Sequence, residues 1–352
     1  LEAARLAGLG PTVFDVYRAL DRKVAGRIRR SAPDVVYAYE DGALEQFRAC
    51  GSATRKVYDL PIAYWETAHR WLKEEAERWP EWEPTLGATR DSREKIERKT
   101  EELSLADDVI CPSQFVHDSL PAGTRARRVV SPFGSPPLPP ADRTEHGGKL
   151  RVLFAGSMTQ RKGLADLFAA MRLLKSREVE LWVAGAAVAP LDFYRRQFSE
   201  FRYEPPRAHS EMLKLMRSCD VLVLPSLVEG RALVQQEALA CGLPIVVTPN
   251  AGGQDLVEAQ KTGFLVPPRS PESIAEKIDW FATHRDALAD MRTACQKKAA
   301  GYTWTAYASR VMDAILAPEK ASFAPRPEIP RSPMPFPGLK ENPIPVERSG
   351  QP

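Results

Sequence analysis

The sequence predicts an α/β protein built from two parallel sheets, and three features support this fold class. Short, almost continuous apolar runs such as Leu150–Ser157 and Asp220–Ser226 are typical of strands buried on both faces of a parallel sheet. Segments with helical apolar spacing alternate with these runs, and that alternation favours βα units. A proline-rich polar stretch at residues 135–149 separates two such series, so we expect two domains joined by a linker.

Composition indicates an ordinary globular protein rather than a nucleic-acid-binding or membrane-spanning one. The 352 residues suffice for two domains of common size, and 43% hydrophobic with 27% charged residues is usual for a soluble chain. The net charge of +3 is too small to indicate nucleic acid as a partner. No apolar run approaches the ~18 residues that a transmembrane helix needs, which leaves peripheral membrane contact open.

Cysteine usage and the first residues add two expectations. The five cysteines are odd in number, widely spaced and without a C-x-x-C motif, so we expect reduced core residues in a cytoplasmic protein. The first residue is Leu1 rather than methionine, and no signal peptide is visible. We interpret the opening residues as the middle of a domain.

The first series predicts an incomplete Rossmann-like domain over residues 1–134. Its four predicted strands are Asp34–Glu40, Lys56–Pro61, Asp107–Ser113 and Ala126–Gly134. A complete nucleotide-binding sheet of this kind has about six strands, so the initial strands are expected to be missing. The tryptophan-rich segment between Tyr64 and Trp82 predicts a helix packed through its aromatic rings rather than a platform for carbohydrate.

The second series predicts a Rossmann-like domain over residues 150–302. The predicted strands are Leu150–Ser157, Val179–Gly185, Asp220–Ser226, Pro244–Asn250 and Gly263–Pro268. Helices are expected between them, one of them around residues 191–201, and a terminal helix is expected over 303–317. The remaining residues, 318–352, are dense in proline with little apolar periodicity, and we expect them to be disordered.

The unit from Asp220 to Gly253 is the most informative stretch of the chain. It predicts a strand, a loop, a helix and a second strand, with Glu229 in the loop and Glu237 about one turn into the helix. Ligands of open α/β sheets bind at the carboxyl ends of the strands, so both carboxylates can face one cleft there. The backbone N–H groups of residues 232–235 would present the positive end of the helix dipole to an anion.

A second candidate site lies at the strand-to-helix turn Ala155–Gly163. Gly156 ends the predicted strand, and Arg161 and Lys162 stand just before the next helix. Cations and N–H groups in such a turn suit a diphosphate. Taken alone, the segment is better explained as two solvated cations at a helix start, but its place ahead of the glutamate pair favours the binding role.

Together these segments resemble the retaining glycosyltransferases of family 4, which have the GT-B fold. The family signature is a Glu-x7-Glu pair between a strand ending in Pro-Ser and a segment that contains Ala, Gly and Pro in that order. It is matched here by Pro225, Ser226, Glu229, Glu237, Ala240, Gly242, Pro244, Ile245 and Val246. The resemblance spans about Asp34 to Leu316 and implies two Rossmann-like domains that face each other across a cleft. It further implies transfer of a sugar from a nucleoside diphosphate sugar to an acceptor hydroxyl, with retention of anomeric configuration.

The resemblance also assigns roles to individual residues. Catalytic roles fall to Glu229, Lys162 and Arg161. The residues implied in donor binding are Glu237, Gly156, Ser157, Arg231, Ala232, Leu233, Gly252, Gly253 and His209, and on the acceptor or sugar side Tyr64 or His69. Arg231 stands where the family has Phe, which would add a fixed charge near the phosphates or the sugar. No cofactor and no metal are implied, because fixed cations take the place of a metal at the diphosphate.

Several alternatives stay open at this point. A sugar-nucleotide epimerase or a phosphorylase could use the same fold, and a non-catalytic or truncated GT-B-like binding protein would fit the missing N-terminal strands. Packing explains His209 as well as a ligand does, and a plain tight turn explains the Gly252–Gly253 pair nearly as well. The sequence does not identify the nucleotide, the sugar, the acceptor or the linkage.

Overall fold

The fold is taken from a computed structural model, which describes residues 12–87, 91–136, 148–174 and 178–317. Within these residues the strands form two sheets, and every strand pair in both is parallel. The predicted α/β class with two parallel sheets is therefore confirmed. Most of the predicted linker and the whole predicted tail, 318–352, lie outside the described residues.

The first sheet has the four strands that the sequence predicts, and they lie in the order β1-β2-β3-β4. They are β1 (Val35–Tyr39), β2 (Arg55–Asp59), β3 (Asp108–Cys111) and β4 (Arg127–Val130). The helices of this half are α1 (Val13–Ser31), α2 (Leu44–Arg48), α3 (Trp65–Arg78), α4 (Arg93–Leu105) and α5 (Gln114–Ser119). The last strand ends at Val130, four residues before the predicted end at Gly134. Pro132 lies between them and has no N–H group to donate to a neighbouring strand, so the strand cannot continue through it.

Side-chain caps define where several of these helices begin. At α1, the Thr12 hydroxyl accepts the N–H of Asp15 at 3.2 Å and the Asp15 carboxylate accepts the N–H of Thr12 at 2.9 Å. This is a capping box, which satisfies two N–H groups that the helix itself leaves unpaired. Ser92 caps α4 and Ser113 caps α5 through their hydroxyls.

The second sheet has the strand order β10-β9-β8-β5-β6-β7. Its strands are β5 (Leu150–Ala155), β6 (Val179–Ala184), β7 (Phe201–Glu204), β8 (Val221–Leu224), β9 (Ile245–Val247) and β10 (Gly263–Leu265). The order is that of a doubly wound nucleotide-binding sheet, with its topological switch point between β5 and β8.

One helix expectation in this half is wrong at its end. The segment around 191–201 is expected to be helical throughout, but α7 covers only Leu191–Gln197 and the chain then forms β7. The strand pairs with β6, and Phe201 at its start stacks on Phe168 with ring centroids 5.4 Å apart. Tertiary pairing therefore overrides the local helical pattern. The other helices are α6 (Leu164–Leu173), α8 (His209–Arg217), α9 (Leu233–Ala240), α10 (Pro271–Thr283), α11 (Leu288–Ala300) and α12 (Trp304–Leu316).

The tryptophan-rich segment forms a helix, as predicted, and its last two tryptophans, Trp79 and Trp82, reach the core of the second sheet. Helix α3 is followed by a 3-10 turn at Pro80–Thr85. Trp82 in this turn is 1% exposed and belongs to the core that surrounds β5 and β6. Its ring meets those of Phe168, Phe193 and Tyr194 edge-on, with centroids 5.9, 5.0 and 5.7 Å away. Residues from the first half thus complete the core of the second.

Helix α12 makes the reverse connection, from the end of the described chain to the first sheet. Val311 and Ala314 are buried against Val57 and Ile110 of that sheet. The Arg55 guanidinium donates to the carbonyl oxygens at the helix end, 2.5 Å from the oxygen of Ile315. The cation therefore also neutralises the negative end of the helix dipole. None of the described helices combines the length and the hydropathy that a membrane crossing needs.

Candidate active site

The predicted site residues of the second half lie at the carboxyl ends of β5 and β8. The chain leaves β5 through Gly156 and returns to α6 through a 3-10 turn at Gln160–Lys162. It leaves β8 through a loop of eight residues, 225–232, that leads into α9. Because β5 and β8 flank the switch point, these two connections border the crevice where doubly wound sheets bind ligands.

Two glycines allow the first connection to take its path. Gly156 has φ 145°, and a Cβ there would lie 2.9 Å from Cδ of Lys162, so the lysine stem needs the empty space. Gly163 has φ 76°, and a Cβ there would lie 2.1 Å from the carbonyl oxygen of Pro225. Glycine at both positions lets the basic turn approach the loop after β8. Ser157, next to Gly156, is half-buried, and its carbonyl accepts the N–H of Thr159 at 2.8 Å.

Hydrogen bonds join the basic turn to the loop after β8. The carbonyl oxygen of Arg161 accepts the N–H of Leu227 at 2.8 Å. In return, the Arg161 guanidinium donates to the carbonyl oxygen of Val228 at 2.8 Å. The two connections therefore hold each other in place at the crevice.

The three residues expected to be catalytic come together in one cluster. One carboxylate oxygen of Glu229 lies 2.5 Å from Nζ of Lys162 and 2.9 Å from a guanidinium nitrogen of Arg161. Burial raises the pKa of Glu229, but Lys162 and Arg161 outweigh it and hold the pKa below its usual value. Glu229 is therefore ionised at neutral pH, 8% exposed, and paired with both cations.

Glu237 and His209 form a second pair. Nε2 of His209, the first residue of α8, lies 3.1 Å from a carboxylate oxygen of Glu237 on α9. The histidine side chain is 59% exposed and that of Glu237 19%. The sequence places both residues on the donor side without predicting that they touch, because 28 residues separate them.

The start of α9 offers fewer N–H groups than the sequence suggests. Ala232, which is buried, donates its N–H to the carbonyl oxygen of Ala251 at 3.2 Å, and Gln235 donates to Ala232 at 3.0 Å. Any interaction of this helix end with an anion therefore rests on the N–H groups of Leu233 and Val234. The Leu233 side chain is 40% exposed.

The charge of Arg231 is turned into the protein. Its side chain is fully buried, donates to Asp255 at 2.7 Å, and also donates to Gln236 at 2.6 Å and to the carbonyl oxygen of Gly252 at 3.0 Å. Burial raises the pKa of Asp255, but the hydrogen bond and the charge of Arg231 lower it further than burial raises it. The sequence predicts that this arginine adds a charge near the phosphates or the sugar, and in the structure its guanidinium is paired with Asp255. The acidic partner follows the glycine pair by two residues, a spacing with no recognisable signal.

Gly252 and Gly253 are surrounded closely by protein atoms. A Cβ at Gly252, where φ is 77°, would lie 2.0 Å from the carbonyl oxygen of Gly230. A Cβ at Gly253 would lie 2.1 Å from the side-chain oxygen of Gln235. These contacts alone account for glycine at both positions.

The loop that carries Glu229 abuts the first half of the chain. A Cβ at Gly230 would lie 1.6 Å from the carbonyl oxygen of Pro61. The hydroxyl of Ser113, which caps α5, donates to the carbonyl oxygen of Gly230 at 2.6 Å. The cluster of Glu229, Lys162 and Arg161 therefore lies beside the junction of the two halves.

A small cavity of about 60 Å³ lies at this junction. Arg161 and Val228 line it from the second half, and His69 and Lys99 from the first. Nε2 of His69 is buried there without a hydrogen-bond partner among the described residues. Tyr64, the other acceptor-side candidate, is 1% exposed in the core of the first sheet and does not line the cavity. Of the two, His69 is the one that lines this cavity together with Arg161.

No metal-binding group of three or more His, Cys, Asp or Glu side chains occurs among residues that the structure describes.

Comparison with known proteins agrees with the fold, and the range matched by a family model includes the cluster. Residues 149–284 match the family model described as glycosyl transferases group 1, and this range contains the second sheet together with Lys162, Glu229 and Glu237. Over these residues the chain is similar to the glycosyl transferases of group 1.

Several curated proteins are similar in sequence to this chain over part or most of its length. The D-inositol 3-phosphate glycosyltransferase of Arthrobacter sp. (strain FB24) is 29% identical over 197 residues, which are 52% of this chain and 47% of that protein. The glycogen synthase of Mycobacterium tuberculosis (strain H37Rv) is 26% identical over 325 residues, 88% of this chain and 74% of that protein. The chain thus spans about half the length of the first of these relatives.

Solved structures with the same fold cover both halves of the chain. Sucrose-phosphate synthase from Thermosynechococcus elongatus superposes with a TM-score of 0.65 at 17% identity, covering 87% of this chain and 80% of that one. Anabaena Alr3699/HepE in complex with UDP gives a TM-score of 0.64 at 18% identity, covering 84% and 82%. The chain has the GT-B fold, as the sequence predicts.

Proposed function

We propose that this protein transfers a sugar from a nucleoside diphosphate sugar to an acceptor hydroxyl, with retention of anomeric configuration. The observation that carries the proposal is the cluster of Glu229, Lys162 and Arg161. It lies at the switch point of the second sheet and beside the first half of the chain. In a GT-B protein, a site between the two halves can hold a donor and an acceptor together.

The two cations suit the diphosphate of the donor. Lys162 and Arg161 are both partly exposed, at 13% and 26% of their side chains, so a phosphate can share them with Glu229. As the sugar leaves, negative charge grows on the diphosphate, and fixed cations stabilise that charge without reorganising. The N–H groups of Leu233 and Val234 add the positive end of α9.

The carboxylates suit the remaining parts of the donor. Glu229 stays ionised between its two cations, so it can accept hydrogen bonds from sugar hydroxyls and stabilise positive charge on the anomeric carbon. Glu237 can accept hydrogen bonds from the ribose hydroxyls while His209 holds one of its oxygens. Glu229 is paired with two cations and Glu237 with His209, so we assign them to different parts of the donor, the sugar and the ribose.

The proposed reaction exchanges two bonds at the anomeric carbon. The bond to the diphosphate oxygen breaks, and its electron pair stays on that oxygen. The acceptor hydroxyl oxygen forms the new bond on the same face of the sugar, and its proton passes to the departing diphosphate. We propose that the fixed cations replace a metal in this step, that the protein belongs to family 4, and that no further cofactor takes part.

The names of the related proteins support a nucleotide donor and leave the acceptor open. Anabaena Alr3699/HepE has been solved with UDP and with UDP-glucose. The named relatives include a D-inositol 3-phosphate glycosyltransferase and a glycogen synthase. We therefore propose a sugar nucleotide and a hydroxylated acceptor as the partners. The five free cysteines agree with a reducing compartment, and we propose the cytoplasm.

A ligand screen tests the proposal first. The thermal midpoint is measured with UDP, GDP, ADP and their sugars, because a ligand at 100 times its Kd stabilises the folded state by about 2.7 kcal/mol. Binding followed by transfer to an acceptor supports the proposal. Epimerised donor without acceptor would indicate an epimerase, and binding without turnover a non-catalytic binding protein.

Two substitutions then test the cluster. We expect Lys162→Ala and Glu229→Gln each to lower kcat about a hundredfold or more, as the loss of one group that stabilises transition-state charge does. The matched controls are Lys214→Ala and Glu211→Gln, which break an exposed pair of the same chemistry at 2.8 Å on α8. Circular dichroism and thermal melting check the fold of all four variants. Wild-type turnover in both cluster variants would refute the assignment.

A further inference from the structure

A fully buried polar network lies directly behind the basic turn. Glu75 of α3 and Asp166 of α6 are both 0% exposed, and Gln160, also 0% exposed, lies between them. Gln160 is the residue immediately before Arg161 and Lys162. Buried carboxylates are costly unless they are paired and hydrogen-bonded, so such a network needs a reason.

Gln160 is held on every side. Its side-chain nitrogen donates to Glu75 at 2.8 Å and to Asp166 at 2.8 Å. Its side-chain oxygen accepts the N–H of Ala165 at 2.8 Å, and its own backbone N–H donates to the hydroxyl of Thr85 at 3.1 Å. Two of the four contacts come from the first half of the chain, so that half determines where the turn lies.

The charges of the network are balanced across the junction of the two halves. Nε of Arg269, in the loop between β10 and α10, donates to Glu75 at 2.5 Å. Arg78 of α3 lies 2.7 Å from Asp166. Arg269 has φ 61°, a left-handed conformation that is unusual outside glycine and that its bonds to α3 help to hold. Each buried carboxylate therefore has a cation from the opposite half.

We propose that Glu75 is a positioning residue that fixes Arg161 and Lys162 for the transfer reaction through Gln160. The segment 65–85, which contains α3 and Trp82, acts as a strap from the first half that holds the basic turn of the second. The proposal rests on the proposed function, because it concerns the cations that act on the diphosphate. Displacement of a catalytic group by about 1 Å can cost about a hundredfold in rate.

Glu74 supplies a matched control at the adjacent position. Its carboxylate lies 2.7 Å from Arg269, as that of Glu75 lies 2.5 Å from the same guanidinium, but it is exposed and has no hydrogen bond to Gln160. Comparing the two residues therefore separates loss of an Arg269 ion pair alone from loss of the other contacts of Glu75, which are the bond to Gln160 and a 3.5 Å pair with Arg78.

The test measures kcat and donor KM for Glu75→Ala, Glu75→Gln and Glu74→Ala in the full chain. We expect Glu75→Ala to lower kcat about tenfold or more and to change donor KM less than twofold. Glu75→Gln keeps an oxygen that can accept from Gln160, so it should recover most of the loss. Glu74→Ala should stay within twofold of wild type in both constants.

Hydrogen exchange gives a readout that does not depend on turnover. Peptides covering residues 158–166 should exchange faster in Glu75→Ala than in wild type and should not change in Glu74→Ala. If Glu75→Ala does not fold, Glu75→Met, which fills the space but offers no acceptor to Gln160, carries the comparison against Glu74→Met, with the same loss of kcat and the same faster exchange expected. Wild-type kcat per folded molecule, or unchanged exchange over 158–166, overturns the positioning role. If the wild type binds nucleotide but transfers no sugar, the proposed function fails, while the exchange result still decides whether Glu75 holds the turn.

Discussion

At the residue scale, Glu229 and Arg231 lie two positions apart and have opposite surroundings. Glu229 shares its carboxylate with Lys162 and Arg161 beside the junction of the halves, whereas Arg231 is buried on Asp255. The sequence identifies both as charged residues near a helix start. It does not predict which charges pair, because the path of the loop decides where each side chain points.

Glu40 is a second residue whose behaviour depends on its surroundings. It follows β1, is 6% exposed, and lies 3.3 Å from Nζ of Lys99. Burial raises the pKa of Glu40 to about 7, and Lys99 offsets only part of this effect. The folded protein therefore keeps a proton on Glu40 at pH values where the unfolded chain has released it.

The expected consequence is a pH-dependent loss of stability. Between the ordinary carboxyl pKa of 4.5 and about 7, the native state binds more protons than the unfolded state, so the free energy of unfolding falls as pH rises. Above pH 7 this contribution levels off. In Glu40→Gln the group cannot titrate. The unfolding free energy of the variant relative to wild type should therefore rise by about 3 kcal/mol between pH 4 and pH 8.

Urea unfolding at a series of pH values measures this difference. Glu66→Gln, at an exposed position on α3, is the control and should follow the wild-type curve. A Glu40→Gln curve parallel to that of wild type over the whole range would contradict the prediction.

At the scale of elements, the loop between β8 and α9 depends on one close approach. The missing Cβ of Gly230 leaves room for the carbonyl oxygen of Pro61. We expect Gly230→Ala to push the loop away from the first half, to destabilise the protein by about 1–3 kcal/mol, and to lower turnover as Glu229 moves. Thermal or urea unfolding and initial rates measure both effects.

Gly51→Ala is the matched control for this substitution. A Cβ at Gly51 meets no atom within 4 Å, so its effect on unfolding should stay within about 0.5 kcal/mol. Equal stability and activity in the two variants would show that the loop does not need its close contact with Pro61.

Elements with a strong local sequence pattern form as predicted. β7 has no such pattern and is not predicted. The apolar runs of β5, β6 and β8 are continuous enough to predict buried strands, and the tryptophan-rich segment has helix formers throughout. β7 has only four residues and follows a helical pattern. Pairing with β6 decides its conformation, and the local sequence does not show that partner.

At the scale of the whole molecule, Trp82 ties the two halves together. It lies in the sequence of the first half but is buried in the core of the second sheet. We expect Trp82→Ala to destabilise the protein by about 3–5 kcal/mol, as the loss of a buried tryptophan does, and to increase hydrogen exchange in β5 and β6. Denaturant unfolding and peptide-resolved exchange measure these effects.

Trp304→Ala is the control for size and residue type, since Trp304 is 47% exposed on α12. This substitution should lower the free energy of unfolding by less than half as much as Trp82→Ala, and it should leave hydrogen exchange in β5 and β6 unchanged. If Trp82→Ala loosened only the first sheet, the assignment of Trp82 to the second core would be wrong.

The sequence by itself determined the α/β class, the two parallel sheets and the turns that carry Glu229 and Lys162. These follow from local periodicity, from glycine positions and from a motif of fixed spacing, all of which act over short stretches of chain. The tertiary structure alone decided that Glu75 from the first half bonds to Gln160 beside the basic turn, that Trp82 enters the core of the second sheet, and that Arg231 pairs with Asp255. Such contacts join residues that are distant in sequence, and only the packing of both halves brings their charges and rings within reach.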